Sequence, residues 1–234
     1  MAPMRTMLTR ANARVYSFAN RHPAVGPIVF VSSTLYFVVQ IAVAWVWSPP
    51  YSVVKNAISD LGNTRCGSYQ GAYVCSSRHW LMNSGFVGLG VIMAAGSWLI
   101  FQEFSEHSAG QRLGAKVGFS LMAAAGVGTS IVGIFPENSV HFMHVLGAAG
   151  AIGLGNVAIV ILGLALPLPE GLRKSMVFMG VVSLTALVLF AAHRDFGIGA
   201  GSMERVAAYP ETLWLIRFGL YMTKNRPDRA LAGN

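Results

Sequence analysis

The chain has 234 residues, of which 54% are hydrophobic and only 11% are charged. A soluble domain carries about a quarter charged residues, so this composition excludes a water-covered surface and indicates a membrane protein. The net charge of +8 would suggest nucleic-acid binding in a soluble protein. Here the basic residues lie between apolar stretches, so we attribute them to membrane topology and expect no nucleic-acid partner.

Six apolar stretches approach the roughly 20 residues that a helix needs to cross a bilayer. In chain order they cover residues 23–47, 80–101, 114–135, 139–166, 174–193 and 202–222. The last is the weakest, because it contains Glu204, Arg205, Pro210 and Glu211. The first exceeds the roughly 7–15 residues of a signal-peptide core, so we expect a retained helix although residues 42–44 resemble a cleavage site. We predict an all-α fold: a polytopic membrane helix bundle with six transmembrane helices within residues 23–222.

Lysine and arginine are distributed unevenly between the loops. Twelve lie in the amino tail, the second and fourth loops and the carboxyl end, whereas five lie in the other three loops. Because cytoplasmic loops are enriched in these residues, both termini are predicted to be cytoplasmic. Residues 1–22 and 223–234 then form basic cytoplasmic tails, and the cytoplasmic membrane is the expected location.

The first outer loop, residues 48–79, contains a short amphipathic segment within residues 52–61. Its apolar members on one helical face are Val54, Ala57, Ile58 and Leu61. Gly62 stands where a helix C-cap would lie. We expect a short helix on the outer membrane surface or over the mouth of the bundle. The alternative is a polar loop with incidental apolar residues.

Cys66 and Cys75 follow in the same loop and are the only cysteines of the chain. On the outer side of the membrane a disulfide is chemically reasonable, and it would close a short hairpin-like loop. The eight residues between them match no usual zinc-ligand spacing. We therefore predict a disulfide.

The predicted topology gathers many polar side chains near the outer surface. The candidate site residues are Ser59, Asp60, Asn63, His79, Glu137, His141, His144, His193, Glu204 and Arg205. His141 and His144 are three residues apart at the start of the fourth span, so they share a helical face. Ionisable residues at membrane depth are costly and therefore suggest function.

Three interpretations of this group remain open. A zinc-type metal could bind His141 and His144, with Asp60 or Glu137 assisting, although the HExxH motif is absent. A lipid headgroup could bind instead, with arginines such as Arg205 meeting phosphate. In the third interpretation the charged residues only cap helices and hold loops together. The histidines then lie at the membrane interface with their hydrogen-bonding groups satisfied.

Familiar catalytic motifs are absent, since there is no Gly-x-Ser-x-Gly elbow, phosphate loop or dinucleotide fingerprint. We predict no cofactor. The polar residues expected at the membrane midplane are Gln40 and Asn156, which hydrogen bonds between helices explain. We expect no acidic residue there, which weighs against an ion-coupled pump.

The segment Asn56-Ala57-Ile58-Ser59-Asp60-Leu61-Gly62-Asn63-Thr64 resembles a prokaryotic membrane family known as domain of unknown function 998. The same order of features continues with the cysteine-bearing loop, Phe135-Pro136-Glu137-Asn138 ahead of His141 and His144, and Glu204-Arg205. The resemblance spans residues 25–222 and implies six helices with an outer-face motif, but no activity. A weaker similarity to DRAM and Frag-type multi-pass proteins implies a function linked to membrane lipids.

We therefore expect a lipid-interacting or accessory membrane protein with a polar pocket at the outer leaflet. Membrane lipids are the expected partners, and the sequence identifies no protein partner. The alternative is an intramembrane hydrolase or transferase, metal-dependent in one form, that acts on a lipid or lipid-linked substrate. A small-molecule transporter is the third possibility.

Overall fold

The computed structural model describes residues 15–104 and 107–225, so most of both predicted tails lies outside the described residues. The α-helices are α1 (Val25–Val31), α2 (Thr34–Trp45), α3 (His79–Phe101), α4 (Ala109–Ile134), α5 (His141–Ala165), α6 (Glu170–Ala191) and α7 (Ala200–Lys224). Residues 15–21 are also helical. Short 3-10 helices cover Ser59–Gly62 and Gln102–Phe104.

Within the described part of the chain, five helical stretches are long and apolar enough to cross a membrane. They are Val25–Trp45, His79–Phe104, Ala109–Ile134, His141–Ala165 and Glu170–Ala191. The prediction of a helical multi-pass membrane protein is confirmed at this level. Helix α7 has 25 residues and is therefore about 37 Å long, but its charged residues lower its hydropathy. A sixth span and cytoplasmic termini stay predictions.

The first span is broken between α1 and α2. Ser32 Oγ donates to Val29 O and Ser33 Oγ donates to Phe30 O, each at 2.6 Å. Hydroxyl groups that bond backward to the preceding turn compete with the helical ladder and bend the chain. The hydropathy of residues 23–47 gives no sign of this break, which was not predicted.

The helices form a closed ring. Consecutive helices from α3 to α7 pack against each other in chain order, and α7 returns to contact α1. Small residues allow the close approach: a Cβ on Gly128 would lie 2.7 Å from Gly147 O, and one on Gly219 would lie 2.6 Å from Pro27 O. Such contacts between backbones are the usual way for helices to pack tightly in lipid.

Aromatic packing holds α7 against α1 in the half of the bundle away from the outer loop. Trp214 stacks on Phe218 with ring centroids 5.0 Å apart, and Phe30 of α1 meets Trp214 edge-on at 5.9 Å. All three side chains are buried. Helix α7 is therefore an integral wall of the bundle despite its charges.

The first outer loop departs from the predicted amphipathic helix. A turn at residues 53–55 precedes the 3-10 helix Ser59–Gly62. Ile58 and Leu61 are buried as expected, but Val54 is exposed. Side-chain hydrogen bonds compete with a continuous helix here, because Asp60 Oδ2 accepts from Ala57 N at 2.9 Å.

A two-stranded antiparallel hairpin follows, with β1 (Gly67–Tyr69) and β2 (Ala72–Val74) paired Gly67 to Val74 and Tyr69 to Ala72. Its turn residues Gln70 and Gly71 both have positive φ, at 47° and 82°. This is typical of a tight hairpin turn and departs from an entirely helical fold. Cys66 and Cys75 form a disulfide at the base of the hairpin, as predicted. We call residues 48–78 the outer lid, after the side of the membrane on which the predicted topology places them.

Candidate functional site

The outer lid is joined to α7 by two adjacent residues, Glu204 and Arg205, one turn into the helix. Glu204 Oε2 accepts a hydrogen bond of 2.5 Å from the backbone N–H of Ile58. The side chain of Glu204 is buried. Ile58 directly precedes the 3-10 helix, so its N–H has no partner within that helix. The hydrogen bond from this N–H to the Glu204 carboxylate therefore fixes the start of the 3-10 helix over the bundle.

The guanidinium of Arg205 bonds to the lid and to α7. Nη1 donates to three backbone carbonyls, those of Val53 and Asn56 at 2.9 Å and that of Gly201 at 2.7 Å. Nη2 donates to the Tyr51 hydroxyl, and Nε donates to the Tyr209 hydroxyl at 3.2 Å. Burial raises the pKa of Tyr51, so its hydroxyl stays protonated at neutral pH. Arg205 therefore joins the lid to α7 through all three of its guanidinium nitrogens.

Glu137 ties the lid to the loop between α4 and α5. Asn63 Nδ2 donates to Glu137 Oε1 at 2.7 Å, and the Tyr69 hydroxyl donates to the Glu137 carbonyl at 3.0 Å. Burial, followed by a hydrogen bond with the Asp60 carboxyl, raises the pKa of Glu137 to about 9. Glu137 therefore holds a proton at neutral pH.

A cavity of about 70 Å³ lies beneath the lid, between α2, α3, α4, α5 and α7. Its apolar lining consists of Tyr36, Ile58, Phe86, Leu89, Val132, Ala148, Ala151, Ile152 and Ala208. Its polar lining consists of Ser59, Thr129, His144, Glu204, Glu211 and Thr212. A mainly apolar cavity with a few polar groups is the usual form of a small-molecule site.

His144 is the histidine that lines this cavity, and it is buried. Its Nδ1 lies 2.9 Å from Phe135 O, the carbonyl just after α4. A carbonyl oxygen can only accept, so Nδ1 carries the hydrogen, and Nε2 is an acceptor in the neutral ring. The α4–α5 turn thereby sets which ring nitrogen is free for the cavity.

Glu211 is the most unusual member of the lining. It is 5% exposed and makes no hydrogen bond to any residue that the structure describes. It lies about 17 Å from the start of α7, roughly halfway along the helix. Its carboxyl group rests on Gly155 of α5, where a Cβ would collide with it.

Glu211 was not among the predicted site residues. The structure places it in the lining of the cavity. The signal that could have found it is spacing: Glu204 and Glu211 are seven residues apart, and so lie on one face of α7.

The remaining predicted site residues are divided between the lid and the surface. Ser59 lines the cavity, and Asp60 and Asn63 bond within the lid and to the α4–α5 loop. His141 is exposed, with Nδ1 3.3 Å from the Tyr69 hydroxyl. His79 opens α3 with a buried Nδ1 that lacks a partner, and His193 is exposed beyond the end of α6.

The predicted metal ligands do not assemble. His144 points to the cavity and His141 to the surface of the α4–α5 loop. Across residues 15–104 and 107–225, no three side chains of the His, Cys, Asp or Glu type form a group that could hold a metal ion.

The apolar helices, the closed ring and the disulfide-bonded outer lid define the class of this protein, a helical multi-pass membrane protein. A family model described as "Protein of unknown function (DUF998)" matches residues 30–221, and the chain belongs to that family. The resemblance seen in the Ile-Ser-Asp-Leu-Gly segment is thereby confirmed. No curated protein and no solved structure matches the chain.

Proposed function

We propose that this protein binds a membrane lipid, or another molecule with an apolar chain, in the cavity beneath the outer lid. In this proposal α7 is the sixth span, both termini are cytoplasmic and the protein resides in the cell membrane. The observation that carries the proposal is the cavity itself, whose lining is apolar except for a few polar groups.

The position of the cavity favours a ligand taken from the membrane. Its walls are the helices that have the composition of membrane spans, together with α7. The outer lid covers its mouth with the buried side chains of Ile58 and Leu61. An apolar ligand from the bilayer would thus remain in surroundings of similar polarity, while the polar groups could recognise its head.

The headgroup chemistry differs from our expectation of a phosphate bound by arginine. Arg205 is occupied by the lid, and no arginine or lysine is among the residues that line the cavity. The polar lining instead consists of carboxyl, imidazole and hydroxyl groups. These groups favour a ligand that donates hydrogen bonds over one that carries a phosphate alone.

A space-filling variant tests the proposal. Ala148→Phe would fill the cavity, whereas Ala149→Phe, one residue away on the exposed face of α5, is the matched control. Native mass spectrometry of protein released from lipid nanodiscs should show one retained amphiphile on the wild type and on Ala149→Phe, and none on Ala148→Phe. Equal retention by both variants would contradict the proposal.

Transport of the bound molecule is the second candidate. The observation that favours it is Glu211, an ionisable group halfway along α7 that a purely outer-face binding site would not need. Transport requires the cavity to open also towards the cytoplasm. Uptake of a labelled amphiphile into sealed proteoliposomes, abolished by Ala148→Phe and retained by Ala149→Phe, would separate transport from binding alone.

A further inference from the structure

Glu211 is a carboxyl group without a partner in the interior of the bundle. The ion pair of Lys174 and Glu170 lies on the surface, far along the chain from Glu211. Glu211 itself accepts no hydrogen bond from residues 15–104 or 107–225 and faces the cavity. Buried carboxyl groups in proteins are almost always paired, because leaving one unpaired is costly.

None of the other polar groups of the cavity is bonded to Glu211. Glu204 is a second acid, and its Oε2 is already bonded to the lid. The Thr129 hydroxyl donates to Ala125 O at 3.0 Å, and His144 uses its donor nitrogen on Phe135 O. The hydroxyls of Tyr36, Ser59 and Thr212 also line the cavity but make no hydrogen bond to Glu211. The Glu211 carboxyl group is therefore open to a donor from a ligand, and an ammonium group would both donate to it and balance its charge.

Gly155 shows that the fold makes room for this carboxyl group. A side chain at that position would collide with the Glu211 carboxyl, so the glycine forms the floor on which Glu211 lies. Asn156, the next residue on α5, holds the adjacent turn of α7 by donating to Ala207 O at 3.2 Å. The position of Glu211 at the deep end of the cavity is thus determined by both helices.

We propose that the cavity selects an amine, whose protonated nitrogen pairs with Glu211 while its apolar body lies against Phe86, Leu89 and Ala151. This rests on the proposed function and adds the class of ligand to it. The amine could belong to a bilayer lipid or to a hydrophobic amine dissolved outside the cell. Both share an ammonium group that donates hydrogen bonds and carries the charge that the lining lacks.

Photolabelling with matched probes tests this inference. Three probes share one diazirine-bearing dodecyl chain and differ in the headgroup, which is an amine, a hydroxyl or a carboxylate. They are applied to the protein in phosphatidylcholine nanodiscs, and adducts on the cavity-lining peptides of α5 and α7 are counted by mass spectrometry. On the wild type we expect the amine to label about tenfold more than the hydroxyl probe, the effect of one charge-assisted hydrogen bond. The carboxylate should label least.

Glu211→Gln is the decisive variant, because it keeps the shape of the side chain and removes its charge. It should reduce amine labelling to the level of the hydroxyl probe and leave hydroxyl labelling unchanged, which also shows that the cavity is intact. Glu170→Gln, on the exposed surface, should behave as the wild type. Equal amine and hydroxyl labelling of the wild type, or an amine preference that survives in Glu211→Gln, would overturn the inference and leave the proposed function standing. No cavity labelling by any probe would overturn both.

Competition identifies the source of the amine. Unlabelled dodecylamine, which enters the bilayer, and phenethylamine, which dissolves in water, are added in excess of the amine probe. Displacement by dodecylamine alone supports a bilayer amine, and displacement by both supports a free hydrophobic amine. If neither displaces the amine probe, its labelling is not due to amine recognition and the inference fails.

Discussion

The carboxylate of Glu204 accepts a 2.5 Å hydrogen bond from the backbone N–H of Ile58, which lies 146 residues earlier in the chain. This contact joins the last helix to the outer lid at the point where the lid covers the cavity. Arg205, the next residue, fastens the same lid through Val53, Asn56 and Tyr51. The position of the lid therefore depends on α7, and a change in α7 should alter the structure of the lid.

Loss of the Glu204 carboxylate should loosen the lid. Glu204→Ala leaves the buried N–H of Ile58 without its acceptor, which costs about 1–3 kcal/mol. Trypsin cleavage at the exposed Lys55 should be several-fold faster in this variant than in the wild type. Glu170→Ala, which removes only an exposed surface ion pair, serves as the control. An unchanged cleavage rate would show that the Ile58 contact does not hold the lid.

The stability of the folded protein should decrease as the pH rises, because Glu137 has a raised pKa. Its pKa is raised by burial and by the Asp60 carboxyl to about 9, above the value in the unfolded chain. The folded protein thus binds this proton more tightly. Its stability falls as the pH rises from the ordinary pKa of glutamate to about 9 and then levels. Thermal unfolding of the wild type between those limits should show this decline.

Glu137→Gln has no proton to lose at this position, so its melting temperature should decline less over the same interval. Glu170→Gln, at an exposed site, should follow the wild type. If the melting temperatures of the wild type and Glu137→Gln decline in parallel as the pH rises, the ionisation of Glu137 does not destabilise the folded protein, and the prediction is contradicted.

The contact between Gly155 and Glu211 predicts unequal effects of two Gly→Ala substitutions on α5. A Cβ on Gly155 would strike the Glu211 carboxyl, whereas one on Gly150 would have nothing within 4 Å. Overpacking costs about 1–3 kcal/mol, so Gly155→Ala should lower the melting temperature. Gly150→Ala should be neutral or slightly stabilising, because alanine is the better helix former. A neutral Gly155→Ala would mean that Glu211 has room to move.

The predicted topology places the disulfide of Cys66 and Cys75 outside the cell. After reduction, a membrane-impermeant maleimide added to intact cells should label these two cysteines, which are the only ones in the chain. Without reduction, labelling should be absent. Labelling that requires permeabilised cells would reverse the orientation of every helix.

Hydropathy predicted the helices well, because a membrane-spanning helix needs a long run of apolar residues and few other structural elements do. Two observed helices nevertheless begin before the predicted apolar stretches: α4 begins at Ala109, five residues before the predicted start, and α6 begins at Glu170, four residues before it. Backbone hydrogen bonding continues into the polar interface, where hydropathy has no signal. The disulfide was predicted correctly from the two cysteines and their loop.

The candidate site could be predicted only in part. Ser59, Asp60, Asn63, Glu137, His144, Glu204 and Arg205 do meet at the lid, the α4–α5 loop or the cavity. His193 does not join them, because the chain ends α6 before it and leaves it exposed. Glu211 was not predicted as a site residue, because its burial depends on Gly155 of another helix, a contact that no local pattern displays. Contacts between distant segments decide which polar residues share a cavity.

The most direct test of the central claim is the position of adducts along α5 after photolabelling of the wild-type protein. Ala148, Ala151 and Ile152 line the cavity, whereas Phe142 and Leu146 on the same helix are exposed on the surface of the bundle. A ligand bound in the cavity should place its saturable adducts on the first three residues, and excess unlabelled ligand should remove them. Saturable adducts confined to Phe142 and Leu146, or adducts that no competitor removes, would contradict a binding site beneath the lid.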